Sequence, residues 1–136
     1  LLMKKIILLS FISLSLFSQE SIDLNWKNTG SNMTVAILKI NDAIVENGDT
    51  LAVFYDLPNN KRACGGFVVW NNDRVALTVW GNDSTNEEKD GFFHKEEFLP
   101  IFHIKNGKIR KSMTPKFLAG GKYFSYNGIS VIENLD

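Results

Sequence analysis

The apolar residues of this chain stand in short runs rich in Val, Ile, Phe and Trp, and clusters of Asn, Gly and Asp separate these runs. Such runs are typical of β-strands, and no segment shows a sustained helical period. The pattern predicts strands over residues 34–40, 43–46, 50–55, 64–70, 74–80, 98–104 and 129–132. The sequence therefore predicts an all-β fold, an antiparallel β-sandwich of about seven or eight strands, with a small β-barrel as the alternative.

Two turns indicate how neighbouring strands could pair. Asn47-Gly48 is typical of a type I′ hairpin turn and would join strand 43–46 to strand 50–55. A three-residue loop over residues 71–73 would place Trp70 opposite Arg74 and join strand 64–70 to strand 74–80. In that register one face is wholly apolar and should lie in the core. This predicted core face consists of Phe67, Val69, Val75, Leu77 and Val79.

The N-terminal 18 residues have the order of a cleavable signal peptide. Lys4 and Lys5 precede an apolar stretch over residues 6–17, and the polar residues Ser18-Gln19-Glu20 follow. The stretch is shorter than the roughly 20 residues of a membrane span, so we expect no transmembrane segment in the mature chain. The sequence thus predicts a protein that is secreted or held at the cell surface. Residues 19–136 would form one domain, which could be the first module of a longer protein.

The charge balance points away from nucleic acid as a partner. The chain has 15 Lys and Arg residues against 15 Asp and Glu residues, and removal of the leader would leave it slightly acidic. The nearest basic patch, residues 105–111, is short.

Cys64 is the only cysteine, so no disulfide can form within the chain. A cysteine directly before two glycines in an apolar run is more often a small buried residue than a nucleophile. Neither His94 nor His103 has zinc-ligand spacing, and we expect each to be a surface or half-buried structural residue. A catalytic pair of Cys64 with either histidine remains the alternative, since such pairs form in space.

Residues 81–91 form the richest polar segment of the chain. Asp83 and Asp90, with several amide and hydroxyl oxygens between them, suggest a calcium site. The spacing does not match an EF-hand, and Lys89 brings a positive charge into the segment. The alternative is an ordinary loop whose Asp, Asn and Gly residues make turns.

Aromatic residues make up 12% of the chain, a high share for a small domain. The tryptophans could bind a carbohydrate or peptide by stacking, or they could fill the core. Among them, Trp70 and Trp80 are the predicted ligand-binding residues, and the proposed register puts them too far apart for one platform.

Several blocks together resemble a known kind of module. These blocks are residues 28–37, 48–55, 64–66 with Trp70, 79–83 and 90–92. They are similar to a β-sandwich module of secreted and surface proteins of Bacteroidetes-type bacteria, which often carry a sorting domain for type IX secretion. The resemblance implies a non-catalytic extracellular module without an established ligand. The block at residues 80–83 often reads Trp-Gly-Asp-Asp in such modules, and here Asn82 replaces the first acid.

These observations predict a non-catalytic interaction or adhesion module. Its partner would be an extracellular glycan, a protein or a neighbouring module of the same chain. No cofactor is expected apart from the calcium considered above. The alternative is a small secreted hydrolase that uses Cys64, or Asp83 and Asp90, for catalysis.

Overall fold

A computed structural model describes residues 21–136, so the predicted leader, residues 1–18, lies outside the described residues. In the described part, eight strands form two separate four-stranded sheets, and one short 3-10 turn covers Pro58–Asn60. The strands are β1 Asn32–Ile37, β2 Thr50–Leu57, β3 Lys61–Val69, β4 Val75–Trp80, β5 Ile101–Lys105, β6 Lys108–Met113, β7 Pro115–Ala119 and β8 Ile129–Leu135. The fold is a β-sandwich, as predicted, and not the barrel alternative.

The first sheet has the strand order β4-β1-β8-β7, and the second has the order β3-β2-β5-β6. Every pairing between strands is antiparallel except that of β1 with β8, which is parallel. A parallel pair needs a long crossover. Here the whole second sheet and strands β4 and β7 lie in the chain between β1 and β8.

The core lies between the two sheets, where alternate residues of the strands point inward. The largest completely buried apolar side chains are Met33, Ile37, Leu51, Leu77, Phe92, Phe98, Ile101, Ile104, Phe124, Ile132 and Leu135. Three of these residues, Phe92, Phe98 and Phe124, come from connections outside the strands. The connections therefore contribute to the core as well as the sheets.

The predicted hairpin at Asn47-Gly48 does not form, because residues 43–46 are not a strand. Gly48 has a positive φ of 93°, but Asn47 does not, whereas a type I′ turn needs positive φ at both positions. The N–H of Gly48 donates to the carbonyl of Trp70 at 2.8 Å, and the N–H of Trp70 donates to the carbonyl of Asp49 at 2.8 Å. This turn is thus bonded to the end of β3, the antiparallel partner of β2.

The predicted hairpin between residues 64–70 and 74–80 is also wrong. Strand β3 pairs with β2 in the second sheet, and β4 pairs with β1 in the first. Residues 71–74 therefore carry the chain from one sheet to the other, and Trp80 lies opposite Asn32 and not opposite Cys64.

The predicted core face is correct for β4 and wrong for β3. Leu77 and Val79 are completely buried and Val75 is half-buried, but Phe67 is 37% exposed and Val69 is 48% exposed. The predicted face rested on a pairing of β3 with β4 that does not form, and β3 also contains a β-bulge. Val53 pairs with Gly66 and the next residue of β2 pairs with Cys64, so that Gly65 has no partner of its own. One extra residue moves every later side chain to the opposite face.

The two glycines after Cys64 also have a packing function. A Cβ atom on Gly65 would collide with the ring of Phe92, and one on Gly66 would collide with the carbonyl oxygen of Thr78 in β4. Gly66 has a φ of 148°, a conformation that side chains rarely adopt. The close approach of β3 to β4 joins the two sheets along this edge.

Candidate functional site

The N-terminal strap, residues 21–29, runs from the turn between β5 and β6 in the second sheet to the end of β4 in the first. The N–H of Ile22 donates to the carbonyl of Gly107 at 2.8 Å. At the other end of the strap, the hydroxyl of Thr29 donates to the carbonyl of Gly81 at 2.6 Å. Between these points the ammonium group of Lys27 contacts a carboxylate oxygen of Asp90 at 3.1 Å. The strap is thus fixed beside the polar segment 81–91.

Trp26 of the strap stacks on Trp80, with ring centroids 5.0 Å apart and planes 7° apart. Trp80 is the last residue of β4 and is half-buried, whereas 43% of Trp26 remains exposed. The Trp26 indole ring is therefore partly exposed, with one face packed on the ring of Trp80. Trp70 is only 6% exposed and packs in the core, so the structure does not bring the two predicted tryptophans together.

The segment that follows Trp80 is a loop closed by backbone bonds. The N–H of Asn82 donates to the carbonyl of Phe92 at 2.8 Å, and the N–H of Phe92 donates to the carbonyl of Trp80 at 2.9 Å. The side-chain oxygen of Asn82 accepts the N–H of Asp90 at 2.9 Å. The amide of Asn82, the residue that departs from the resembled module, thus helps to close the loop.

Asp90 lies at the centre of this loop with both carboxylate oxygens occupied. Its Oδ1 accepts the N–H of Asp83 at 2.8 Å, and its Oδ2 accepts Lys27 at 3.1 Å and the side-chain amide of Asn86 at 2.8 Å. Burial raises the pKa of Asp90, but these hydrogen bonds and the charge of Lys27 outweigh burial and hold it below its usual value. Asp90 is therefore an ionised anchor for the loop and the strap.

Asp83 acts as the turn residue of the same loop. Its Oδ1 accepts both the hydroxyl of Thr85 at 2.7 Å and the N–H of Thr85 at 2.9 Å, and these bonds lower the pKa of Asp83. The structure thus brings Asp83 and Asp90 into one loop, as the calcium prediction requires. An ammonium group already contacts Asp90, however, and no cluster of three or more His, Cys, Asp or Glu side chains suited to a metal occurs in residues 21–136.

The side chain of Lys89 connects the 81–91 loop to residues outside it. Its ammonium group donates to the carbonyl of Asp56 at 2.7 Å and to both carboxylate oxygens of Glu96. The same ammonium group lies 4.2 Å from the ring centroid of Phe93 and 5.8 Å from that of Tyr55. Because this side chain is largely buried, its positive charge is neutralised within the protein.

Two open clefts adjoin along residues 86–89, which line both of them. The smaller cleft, of about 510 Å³, is also lined by Asn25, Trp26, Lys27, Tyr55 and Asp90. The larger, of about 1020 Å³, is also lined by Asp56, Leu57, Pro58, Asn82, Ser84 and Phe93. We call this pair the 86–89 clefts. Their lining combines aromatic rings with amide and carboxylate groups.

Cys64 is buried against the strap side of the second sheet and is not placed for nucleophilic chemistry. Burial raises the pKa of its thiol, whereas a reactive thiol needs a cationic and partly open setting. His94 is exposed and stacks on Tyr126, with ring centroids 5.5 Å apart. Within residues 21–136 no hydrogen bond joins Cys64 to His94 or His103.

His103 is completely buried, which corrects the expectation of a surface or half-buried residue. Its Nε2 lies 2.7 Å from Oδ2 of Asp49, and because a carboxylate only accepts, Nε2 carries the proton. Asp49 is itself buried and also accepts the N–H of Glu46 at 3.0 Å. The pair was not predicted, because its members are 54 positions apart.

The part of the chain that the structure describes has no helix long and apolar enough to cross a membrane. Compared with known proteins, the chain matches no family model, no curated protein and no solved structure.

Proposed function

We propose that the protein is a secreted, non-catalytic module that binds a glycan in the 86–89 clefts. The observation that carries this proposal is the exposed ring of Trp26, held flat on Trp80 at the wall of the smaller cleft. The C–H groups on one face of a pyranose ring form an apolar surface that can stack on the negative face of an aromatic ring. A flat, supported indole beside polar groups suits such a ring.

The polar lining supports the same ligand class. Asn86, Glu87 and Glu88 line both clefts. Amide and carboxylate oxygens accept hydrogen bonds from sugar hydroxyl groups. Because the clefts are open and adjoining, they suit an extended chain of sugars better than a small molecule enclosed on all sides.

The alternative, a secreted hydrolase, has weaker support. Its first candidate residue, Cys64, is buried with a raised pKa. Its second candidates, Asp83 and Asp90, have lowered pKa values and accept several hydrogen bonds. A general acid needs a pKa raised toward the working pH. We therefore favour binding without catalysis, and the leader supports a location outside the cytoplasm.

A fluorescence titration tests this proposal. The purified protein is titrated with a panel of oligosaccharides while tryptophan emission is followed. We expect emission to change with at least one oligosaccharide, and the Trp26→Ala variant to bind about tenfold or more weakly, as is usual for a central aromatic contact. Tyr123→Ala is the matched control, because Tyr123 is also an exposed aromatic residue but lines neither cleft.

Two results would contradict the proposal. One is the absence of binding across neutral, acidic and amine-bearing oligosaccharides. The other is equal loss of binding in the Trp26→Ala and Tyr123→Ala variants, which would place the ligand elsewhere. Release of reducing ends from a bound oligosaccharide would favour the hydrolase.

A further inference from the structure

We infer that the 86–89 clefts select glycans with free amino groups, such as glucosamine oligomers, over neutral and acidic glycans. This inference rests on the proposed function and adds the charge of the ligand. It is based on which charged side chains lining the clefts form ion pairs within the protein and which do not.

The negative charge of the clefts is in excess. Four carboxylates line them, those of Asp56, Glu87, Glu88 and Asp90, against the two ammonium groups of Lys27 and Lys89. Both ammonium groups are engaged, Lys27 with Asp90 and Lys89 with Glu96. The carboxylate or sulfate of an acidic glycan would have to compete with these carboxylates for the ammonium groups, and it would be repelled by the remaining negative charge.

Glu87 and Glu88 supply the unpaired charge. Within residues 21–136 neither side chain makes an ion pair or a hydrogen bond, and both are exposed. They lie on the segment that the two clefts share, so a ligand in either cleft passes close to them. A protonated sugar amine could therefore donate to a carboxylate of Glu87 or Glu88 that accepts no hydrogen bond from the described residues.

The aromatic lining points to an ammonium ligand by an independent route. The protein already holds one ammonium group here, since that of Lys89 lies 4.2 Å from the ring centroid of Phe93 and contacts Glu96. Cations are attracted to the faces of aromatic rings, most strongly to that of tryptophan. Trp26, in the adjoining cleft, offers such a face with no cation of the described residues on it. A sugar amine at Trp26 and Glu87 would repeat the arrangement around Lys89.

A comparison of two ligands tests the inference. A glucosamine tetrasaccharide and its N-acetylated counterpart differ chiefly in charge, and both are titrated by calorimetry at about pH 5.5, where carboxylates are ionised and amines are protonated. We expect the amine form to bind about threefold to tenfold more tightly, because each exposed ion pair contributes up to about 1 kcal/mol. Added salt should reduce the difference.

A double variant, Glu87→Gln with Glu88→Gln, should remove this preference while binding of the acetylated form persists. The matched control is Glu133→Gln, since Glu133 is an exposed glutamate that pairs with Lys116 away from the clefts. If the acetylated form binds as tightly as the amine form or more tightly, and Trp26→Ala abolishes this binding, the inference is overturned and the proposed function stays intact. Failure of every oligosaccharide to bind would overturn both. Binding of a lysine-rich peptide as tight as that of the amine sugar would overturn the assignment to a glycan.

Discussion

The buried pair of Asp49 and His103 allows a quantitative prediction about stability. In Asp49→Asn the side chain keeps its shape, but its two hydrogen bonds, from His103 at 2.7 Å and from the N–H of Glu46 at 3.0 Å, no longer end on a charge. Hydrogen bonds to charged groups contribute about 1.5–3 kcal/mol. We expect Asp49→Asn to lower the free energy of unfolding by about 2–3 kcal/mol, and Asp49→Ala by about 3–5 kcal/mol because His103 and the N–H of Glu46 both lose their acceptor.

Urea denaturation at pH 7, followed by tryptophan fluorescence, measures these changes. Trp70 is a suitable reporter, since it is buried and its backbone N–H donates to the carbonyl of Asp49. The matched control is Asp73→Asn. Asp73 is 79% exposed and lies 3.8 Å from Arg74, so its loss should cost less than about 0.5 kcal/mol.

The effect should also depend on pH in a defined direction. Burial raises the pKa of Asp49, but the hydrogen bonds from Glu46 and His103 and the charge of Lys105 outweigh burial and leave it below its usual value. Ionised Asp49 therefore stabilises the fold above its unfolded pKa of about 4, and this contribution is lost as the pH falls through the lower folded pKa. Because Asn resembles a protonated Asp, the wild type and Asp49→Asn should converge in stability as the pH falls below the unfolded pKa of Asp.

A double-mutant cycle that combines Asp49→Asn with His103→Leu isolates the interaction energy between Asp49 and His103 from the effects of their surroundings. If Asp49 and His103 act through each other, the double variant should be more stable than the sum of the single changes predicts, by about 1 kcal/mol or more. A cost of Asp49→Asn no larger than that of Asp73→Asn, or a cost that does not change with pH, would refute this reasoning.

Three further predictions concern the core, the thiol and the loop. Leu77→Asp should unfold the domain, because it buries an unpaired charge. The neighbouring Ala76→Asp variant should remain folded by circular dichroism, since position 76 is exposed. Similar melting of the two variants would contradict the face assignment. Cys64 should react with a thiol reagent only after unfolding, and rapid reaction of the folded protein near neutral pH would restore it as a candidate nucleophile. Calcium should leave the melting temperature unchanged, because hydrogen-bond donors occupy Asp90 and Asp83; a clear rise with calcium that chelator reverses would establish the metal site.

The sequence was sufficient for the fold class but not for the pairing of strands. Alternation and turn residues indicate where strands lie, and six of the eight observed strands fall in or overlap the predicted ranges. The two missed strands, Lys108–Met113 and Pro115–Ala119, are edge strands with exposed and charged residues. Edge strands often carry such residues to prevent association with other chains, so their apolar signal is weak.

The candidate site could be predicted in part. Trp80 and the loop with Asp83 and Asp90 do lie together, because the loop follows β4 directly. The exposed member of the stack, Trp26, precedes all the strands, and nothing in the local pattern shows that its segment crosses to β4. Long-range placement of this kind depends on tertiary contacts, here the ion pair of Lys27 with Asp90 across 63 positions.

The Cys-Gly-Gly sequence contributes both to the error in the β3 face and to the placement of the site. The bulge at Gly65 turns Phe67 and Val69 outward, and the missing side chain of Gly66 lets β3 approach β4 closely. Gly65 in turn leaves room for the ring of Phe92, the residue at which the polar loop closes. A Gly66→Ala substitution would therefore disturb the junction of the sheets, and a Gly65→Ala substitution would displace the ring of Phe92. Gly65 and Gly66 carry no signal in the alternation of polar and apolar residues, yet they help to position the surface on which the proposed function depends.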